Sequence, residues 1–194
     1  MQDSTVLNHA IDTTAHAETT WALDPSHTTA HFTVRHLVSR VTGSFTAVDG
    51  VLRQGASDLT GGSVVIRLDA ASANTHNADR DAHLKSADFF LTADHPHIIF
   101  TSNDIVKTGD DTYDAKGELE IRGVKKPVTL HVVDNGRAKD GWGNTRAGFT
   151  ATTTINRHDF GVNWNMALEA GGMMLGEKVT LNVDAQFILQ AATN

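Results

Sequence analysis

The stretch Val179-Thr180-Leu181-Asn182-Val183-Asp184-Ala185-Gln186-Phe187-Ile188-Leu189 carries an apolar residue at every second position, with Thr180, Asn182, Asp184 and Gln186 between them. Successive side chains leave a strand on opposite sides, so this alternation predicts a strand with one buried face and one wet face. The pattern recurs. Ala30, Phe32 and Val34 alternate with His31, Thr33 and Arg35; Phe45, Ala47 and Val51 follow Gly43; Val64, Ile66 and Leu68 alternate with Val65, Arg67 and Asp69. Leu119 and Ile121, then Val128, Leu130 and Val132, then Phe149, Ala151, Thr153 and Ile155 continue it. Turn residues fall between these runs at Asp49-Gly50, Gly61-Gly62, Gly109-Asp110-Asp111, Asn135-Gly136 and Asp140-Gly141. The spacing predicts about eight antiparallel strands. A sheet with one apolar face must cover it, and curling into a barrel covers it while removing the exposed edges. The expected fold is therefore all-β, an antiparallel eight-stranded barrel with one short helix.

A chain of 194 residues, 40% apolar and 20% charged, suits one ordinary domain with a sizeable core. We read residues 1–18 as a loose polar tail and 19–191 as the barrel. The net charge of -7 and the lack of lysine or arginine blocks argue against a nucleic-acid partner. The absence of cysteine excludes disulfides, thiol catalysis and thiolate metal sites. No run approaches the roughly 18 apolar residues of a membrane helix. Met1 to Glu18 has neither a basic start nor an apolar stretch, so a cytoplasmic location is expected, with the periplasm as the alternative if a leader was removed.

Two stretches interrupt the strand pattern. Asn77 to Phe90 mixes Ala78, Ala82, Leu84, Ala87 and Phe90 with charges and predicts a short helix that stops before Pro96. Asn163 to Gly176 is rich in Gly and Met and predicts a loop or helical turn beside the barrel mouth.

Several residue groups carry side chains suited to chemistry. Eleven histidines, including His27, His31 and His36 and the pair His95 and His97, raise the alternative of a metal-dependent enzyme or sensor with histidine ligands; the His-Glu-x-x-His pattern is absent. Asp24, Ser26 and His27 suggest a hydrolytic triad, but an extended segment cannot bring three adjacent residues together, and there is no Gly-x-Ser-x-Gly elbow. Gly117 to Lys125 lacks the spacing of a phosphate loop. Arg80 and His83 stand three apart on one helix face, where they suit either a phosphate or carboxylate group, or an arginine–aspartate pair that pins the helix. The eight phenylalanines and three tryptophans are either plain core or the wall of a cavity. Small residues at the inward positions Ala30, Ala47, Ala151, Thr153 and Ala185 tilt that choice toward a cavity.

An ordered series of segments resembles the YceI-like family. It runs Trp21-Ala22-Leu23-Asp24-Pro25-Ser26-His27, Val34-Arg35-His36-Leu37, Gly43-Ser44-Phe45, the stretch from Arg80 to Phe90, the stretch from His95 to Ser102, the stretch from Gly117 to Val128, and Ile155-Asn156-Arg157-His158-Asp159-Phe160-Gly161. The resemblance covers roughly residues 21–190. It implies a lipocalin-like barrel that binds, stores or transports an isoprenoid lipid, a polyprenyl phosphate or a quinone tail, in its lumen. It also implies no catalytic residues and no cofactor, a transient membrane contact and a homodimer.

On this reading the lipid chain would lie against Phe32, Val34, Phe45, Leu84, Phe89 and Phe90. Phe100, Phe149, Ile155, Phe160, Trp164 and Phe187 would continue the wall, and Met166, Met173 and Met174 would adapt to it near the mouth. Arg80, His83 and Arg157 are the expected head-group residues.

Overall fold

The computed structural model describes residues 18–55, 58–169 and 171–191, so nearly all of the expected tail over 1–18 lies outside the described residues. Nine strands follow in order: β1 (Thr19–Leu23), β2 (Thr29–His36), β3 (Ser39–Gln54), β4 (Ser63–Asp69), β5 (His97–Lys107), β6 (Thr112–Ile121), β7 (Val124–Lys139), β8 (Thr145–Asn156) and β9 (Leu175–Leu189). One helix, α1 (Ala78–Lys85), lies between β4 and β5. All neighbours pair antiparallel, and the pairing of β3 with β4 closes the sheet on itself. Both β1 and β2 lie between β3 and β9: Trp21 faces Leu52 and Leu189, and Phe32 faces Gly43 and Leu181. The nine segments thus fill eight positions of a closed barrel, the architecture that the alternating pattern predicts.

The break between β1 and β2 is a tight turn over Pro25–His27. Proline's fixed φ starts it, and Asp24 caps it by accepting from Ser26 N at 3.0 Å. The segment is therefore a turn rather than the extended stretch expected from the sequence, and it carries His27 Nδ1 back to 2.9 Å from Asp24 Oδ2. Asp24 Oδ2 also accepts from Arg146 Nη1 at 2.5 Å, and Arg146 Nε donates to Asp140 Oδ2 at 2.7 Å. The carboxylate is thus a structural knot that ties the β1–β2 corner to the β7–β8 hairpin.

Two expected turns are bends inside long strands. Asp49-Gly50 lies within β3, where the register with β4 shifts between Ala47 and Asp49. Asn135-Gly136 lies within β7, at a shift between Asp134 and Arg137, with Gly136 at φ 93. A barrel strand this long must bend, and an extra residue in the ladder, aided by a left-handed glycine, bends it without ending the pairing. The strand β5 escapes the simple alternation for the same reason, since its register shifts between Ser102 and Asp104.

Gly43 has a different role. A Cβ there would run into the ring of Phe32 and the methyl of Thr75, so only glycine lets the segment before α1 bridge to the wall through Ser44 and Asn74. Asn77 caps α1 by accepting from Arg80 N at 3.0 Å. The helix ends at Lys85 with Ser86 as its cap, inside the predicted stretch and before Pro96. Leu91 at φ 48 turns the chain back toward β5.

The Asp24 knot makes stability depend on acid. Burial works to raise the Asp24 carboxyl, but the bonds from Arg146, His27 and Ser26 N outweigh it and hold the group below its ordinary 3.8. Asp140 is held low by Asn144 and Arg146. A depressed carboxyl contributes stability above its unfolded value and loses it as the pH falls. We expect a Tm that is flat near neutrality and drops as the pH falls below about 4. Asp24→Asn should lower Tm by several degrees at pH 7, with the gap to wild type closing near pH 3, as followed by circular dichroism melts.

Candidate functional site

The barrel encloses a cavity of about 470 Å³. Its lining runs from His36, Met174 and Leu175 at the end carrying α1 to Leu52, Leu59 and Phe187 at the other. Along β9 alone, Leu175 to Phe187 spans about 40 Å of extended chain at about 3.3 Å per residue. The space exists because Ala30, Ala151 and Ala185 put methyl groups where larger side chains would meet across the barrel. Of the other small residues expected inside, Ala47 is buried and neither it nor Thr153 lines the cavity.

Most of the expected wall is in place. Phe32, Val34, Phe45, Leu84, Phe89, Phe90, Phe100, Phe149, Ile155, Phe160, Trp164, Met174 and Phe187 all line the cavity. Met166 and Met173 do not; they are 54% and 53% exposed on the outer surface. Ala167 and Met173 pair in an antiparallel bridge, and parity along that paired stretch turns Met173 outward and Met174 inward. Aliphatic residues supply wall that a search for aromatics overlooks: Leu52, Leu59, Ile98, Ile105, Leu119 and Val132. The signal for most of them was the same period-two alternation that marks the strands.

The two ends differ. At the end away from α1, the Arg137 guanidinium lies 5.4 Å from the Trp21 ring and 5.0 Å from that of Phe149. Asp134 pairs with Arg137 at 2.5 Å, and Phe149 meets Phe187 edge-on at 5.9 Å. At the α1 end, His83 packs edge-on against Phe89 at 5.0 Å and Trp164 at 4.8 Å. Its Nε2 lies 2.9 Å from Asp88 Oδ2.

Arg80 also lines this end, but it makes no ion pair with Asp81. Both residues grip Thr75: Arg80 Nε donates to Thr75 Oγ1 at 2.7 Å, and Asp81 Oδ1 accepts from Thr75 N at 2.8 Å. The helix is thus pinned through a threonine rather than through the expected arginine–aspartate pair.

Arg157 is the most unusual member of the wall. Asn156 caps the turn over Arg157–Phe160 by accepting from His158 N at 3.0 Å, and Gly161 ends it at φ 73. That turn buries Phe160 and draws the Arg157 side chain inward, where only 5% of the residue is exposed. Its Nε donates to Gly176 O at 2.9 Å, and its Nη1 to Val162 O and Trp164 O at 2.6 and 2.9 Å. Its Nη2 is buried without a partner among the described residues. Burial pushes its pKa below the ordinary arginine range, with Glu177 pulling weakly the other way. A cation in an apolar wall with one unspent donor is suited to an anion.

The histidines among the described residues do not converge. Among the described residues no three of His, Asp or Glu are grouped as metal ligands. His27, His83 and His131 each hold a single aspartate, Asp24, Asp88 and Asp114 respectively.

Comparison with known proteins agrees with this geometry. A family model for the YceI-like domain matches residues 21–187. A UPF0312 protein of Pseudomonas putida is 39% identical over 137 residues, covering 70% of this chain and 71% of that protein. A Staphylococcus aureus UPF0312 protein is 35% identical over 171 residues, covering 87% and 97%. Among solved structures, the Campylobacter jejuni YceI protein is similar with a TM-score of 0.67 at 26% identity, covering 81% of this chain and 90% of that one. A polyisoprenoid binding domain from Saccharophagus degradans, implicated in plant cell wall breakdown, shares the fold with a TM-score of 0.64 at 16% identity, covering 88% and 98%.

Replacing Arg157 by Met keeps the apolar bulk but leaves three carbonyls without their donor. We expect Arg157→Met to lower stability by about 3 kcal/mol in urea unfolding and to raise amide exchange over residues 161–176.

Proposed function

Since the chain belongs to the YceI-like domain family, we propose that it is a non-catalytic holder of an isoprenoid lipid, with the hydrocarbon chain inside the barrel. The observation that carries this reading is the long cavity walled almost wholly by apolar side chains. Burying apolar surface is worth about 25 cal/mol per Å², and a preformed wall spares most of the cost of ordering the site. A pocket of this kind with only a few polar groups at one end fits a ligand that is nearly all hydrocarbon with a small polar head. The Saccharophagus degradans domain of the same fold is a polyisoprenoid binding domain, which favours that class over other lipids.

In this reading the phenylalanine groups along the wall, Phe32, Phe45 and Phe90 among them, take the chain. Arg80, His83 and Arg157 take the head. The unspent Nη2 of Arg157 favours a polyprenyl phosphate over a neutral quinone, because a buried N–H of a cation bonds best to a charged oxygen. The protein would then serve as a carrier or a store.

The lumen itself provides the test. Ala185 lines the cavity beside Phe149, its neighbour on the adjacent strand, so Ala185→Trp fills the space at a cost of about 1–3 kcal/mol in overpacking. Organic extracts of purified wild-type protein, read by mass spectrometry, should contain an isoprenoid that extracts of the folded variant lack. Polyprenyl phosphate added to delipidated wild type should raise Tm by several degrees and leave that of the variant unchanged. The reading fails if the variant binds as well as wild type, or if native extracts are empty and the added lipid shifts nothing.

A further inference from the structure

At the α1 end of the barrel, four exposed apolar residues stand just outside the cavity. Leu37 and Val38 form the two-residue turn between β2 and β3 and are 40% and 103% exposed. Each apolar tip is one step in sequence from a lining residue: Leu37 follows His36, and Met173 precedes Met174. The two tips are held together. Leu37 N donates to Met174 O at 2.8 Å, Arg35 Nη1 donates to Leu37 O at 3.1 Å, and Arg35 Nη2 donates to Met173 O at 3.3 Å. Met166 joins the patch through the bond from Met174 N to its carbonyl at 2.9 Å.

The turn is built against its own backbone preference. Leu37 has φ 52, a conformation that a two-residue hairpin ordinarily fills with glycine, asparagine or aspartate. Leucine there is strained, and strain at a tip that leaves Leu37 partly and Val38 wholly exposed points to a use for the side chains. Charge gives a second sign. In a chain of net charge -7, residues 29–48 of this hairpin carry Arg35 and Arg40 directly opposite each other and no acidic residue. Glu177 stands beside Arg35 on the paired strand β9 and Glu169 on the segment between Met166 and Met173, so the charges that flank Leu37 and Val38 on the hairpin itself are the two arginines. Apolar side chains at a tip with flanking arginines are the combination that enters the headgroup region of an anionic bilayer.

We propose that the Leu37–Val38 tip, together with Met166 and Met173, docks the α1 end of the barrel onto an anionic lipid surface. Docking there places the lining residues His36 and Met174 directly behind the buried tip. The purpose of this contact rests on the lipid-holding role, but its detection does not. Trp142 is also exposed, at 86%, but it sits at the tip of the β7–β8 hairpin, at the opposite end from α1. It serves as the control.

Co-sedimentation with vesicles decides the matter. One set contains phosphatidylglycerol and phosphatidylcholine in equal parts, and the other phosphatidylcholine alone. Wild type should pellet with the anionic vesicles and release partly in high salt, as expected when Arg35 and Arg40 contribute. The double variant Leu37→Gly and Val38→Ser relieves the backbone strain, so its Tm should equal or exceed that of wild type, while its vesicle partitioning falls roughly tenfold or more. Val38→Asp, a change at a site that touches nothing, should do the same if the glycine turn disturbs the fold. Trp142→Ser should bind like wild type.

The proposal is overturned if wild type pellets with neither vesicle, if both tip variants bind as wild type does, or if Trp142→Ser alone abolishes binding. It is also overturned if wild type runs as a dimer that the tip variants dissolve, since the patch would then face a second copy. The two readings separate cleanly: Ala185→Trp should empty the cavity without affecting vesicle binding, and the tip variants should keep any lipid they carry.

Discussion

Closure of the sheet between β3 and β4 is the constraint on which everything else depends. An open sheet with the same alternation would need a second layer over its apolar face. Once the edges are joined, that face becomes the inner surface of a tube, and what fills it is decided by side-chain size alone. Here the answer is mixed. Phe160 and Tyr113 are tightly buried, while Ala30, Ala151 and Ala185 hold the walls apart. The cavity is thus a direct result of small residues at inward positions in a closed ring, and no hinge or second domain is needed to make it.

Closure also explains which parts of the structure could be read in advance. The period-two pattern of Val179 to Leu189 identifies β9 and its inward face, because parity along a strand is a local property. The wall residues on β2, β8 and β9 follow for the same reason. Asp49-Gly50 and Asn135-Gly136 read as turns because a glycine after Asp or Asn has the same local preference in a hairpin and in a bulge. Only the curvature of the whole barrel distinguishes the two. Met173 and Met174 were likewise indistinguishable by type, and the small bridge between Ala167 and Met173 decides which one turns inward.

The polar groups at the α1 end were legible as residues but not as interactions. Arg80 and His83 do share a helix with Leu84, yet Arg80 grips Thr75 and His83 engages Asp88. Arg157 sits in the wall, and the three carbonyls that hold it come from residues 162, 164 and 176. Contacts of that separation depend on how the 161–176 segment folds over the barrel, and no spacing rule in the sequence reports them. The strained turn at Leu37 is similarly silent, since a leucine in a strand-rich chain reads as core until its φ is known.

The two ends of the tube are chemically unequal, and that asymmetry has a consequence for size. At the far end, the Arg137 guanidinium lies near the rings of both Trp21 and Phe149 and is tied to Asp134 and Gln54, an arrangement that would stopper the tube with a cation against aromatic faces. A vessel sealed at its base works as a depth gauge. On the lipid-holding reading, a guest would slide in until its tip met that stopper, and whatever length exceeded the depth would stay at the rim beside Arg80 and His83. The distance from stopper to rim, more than any single contact along the side, would therefore set how long a guest can be fully enclosed.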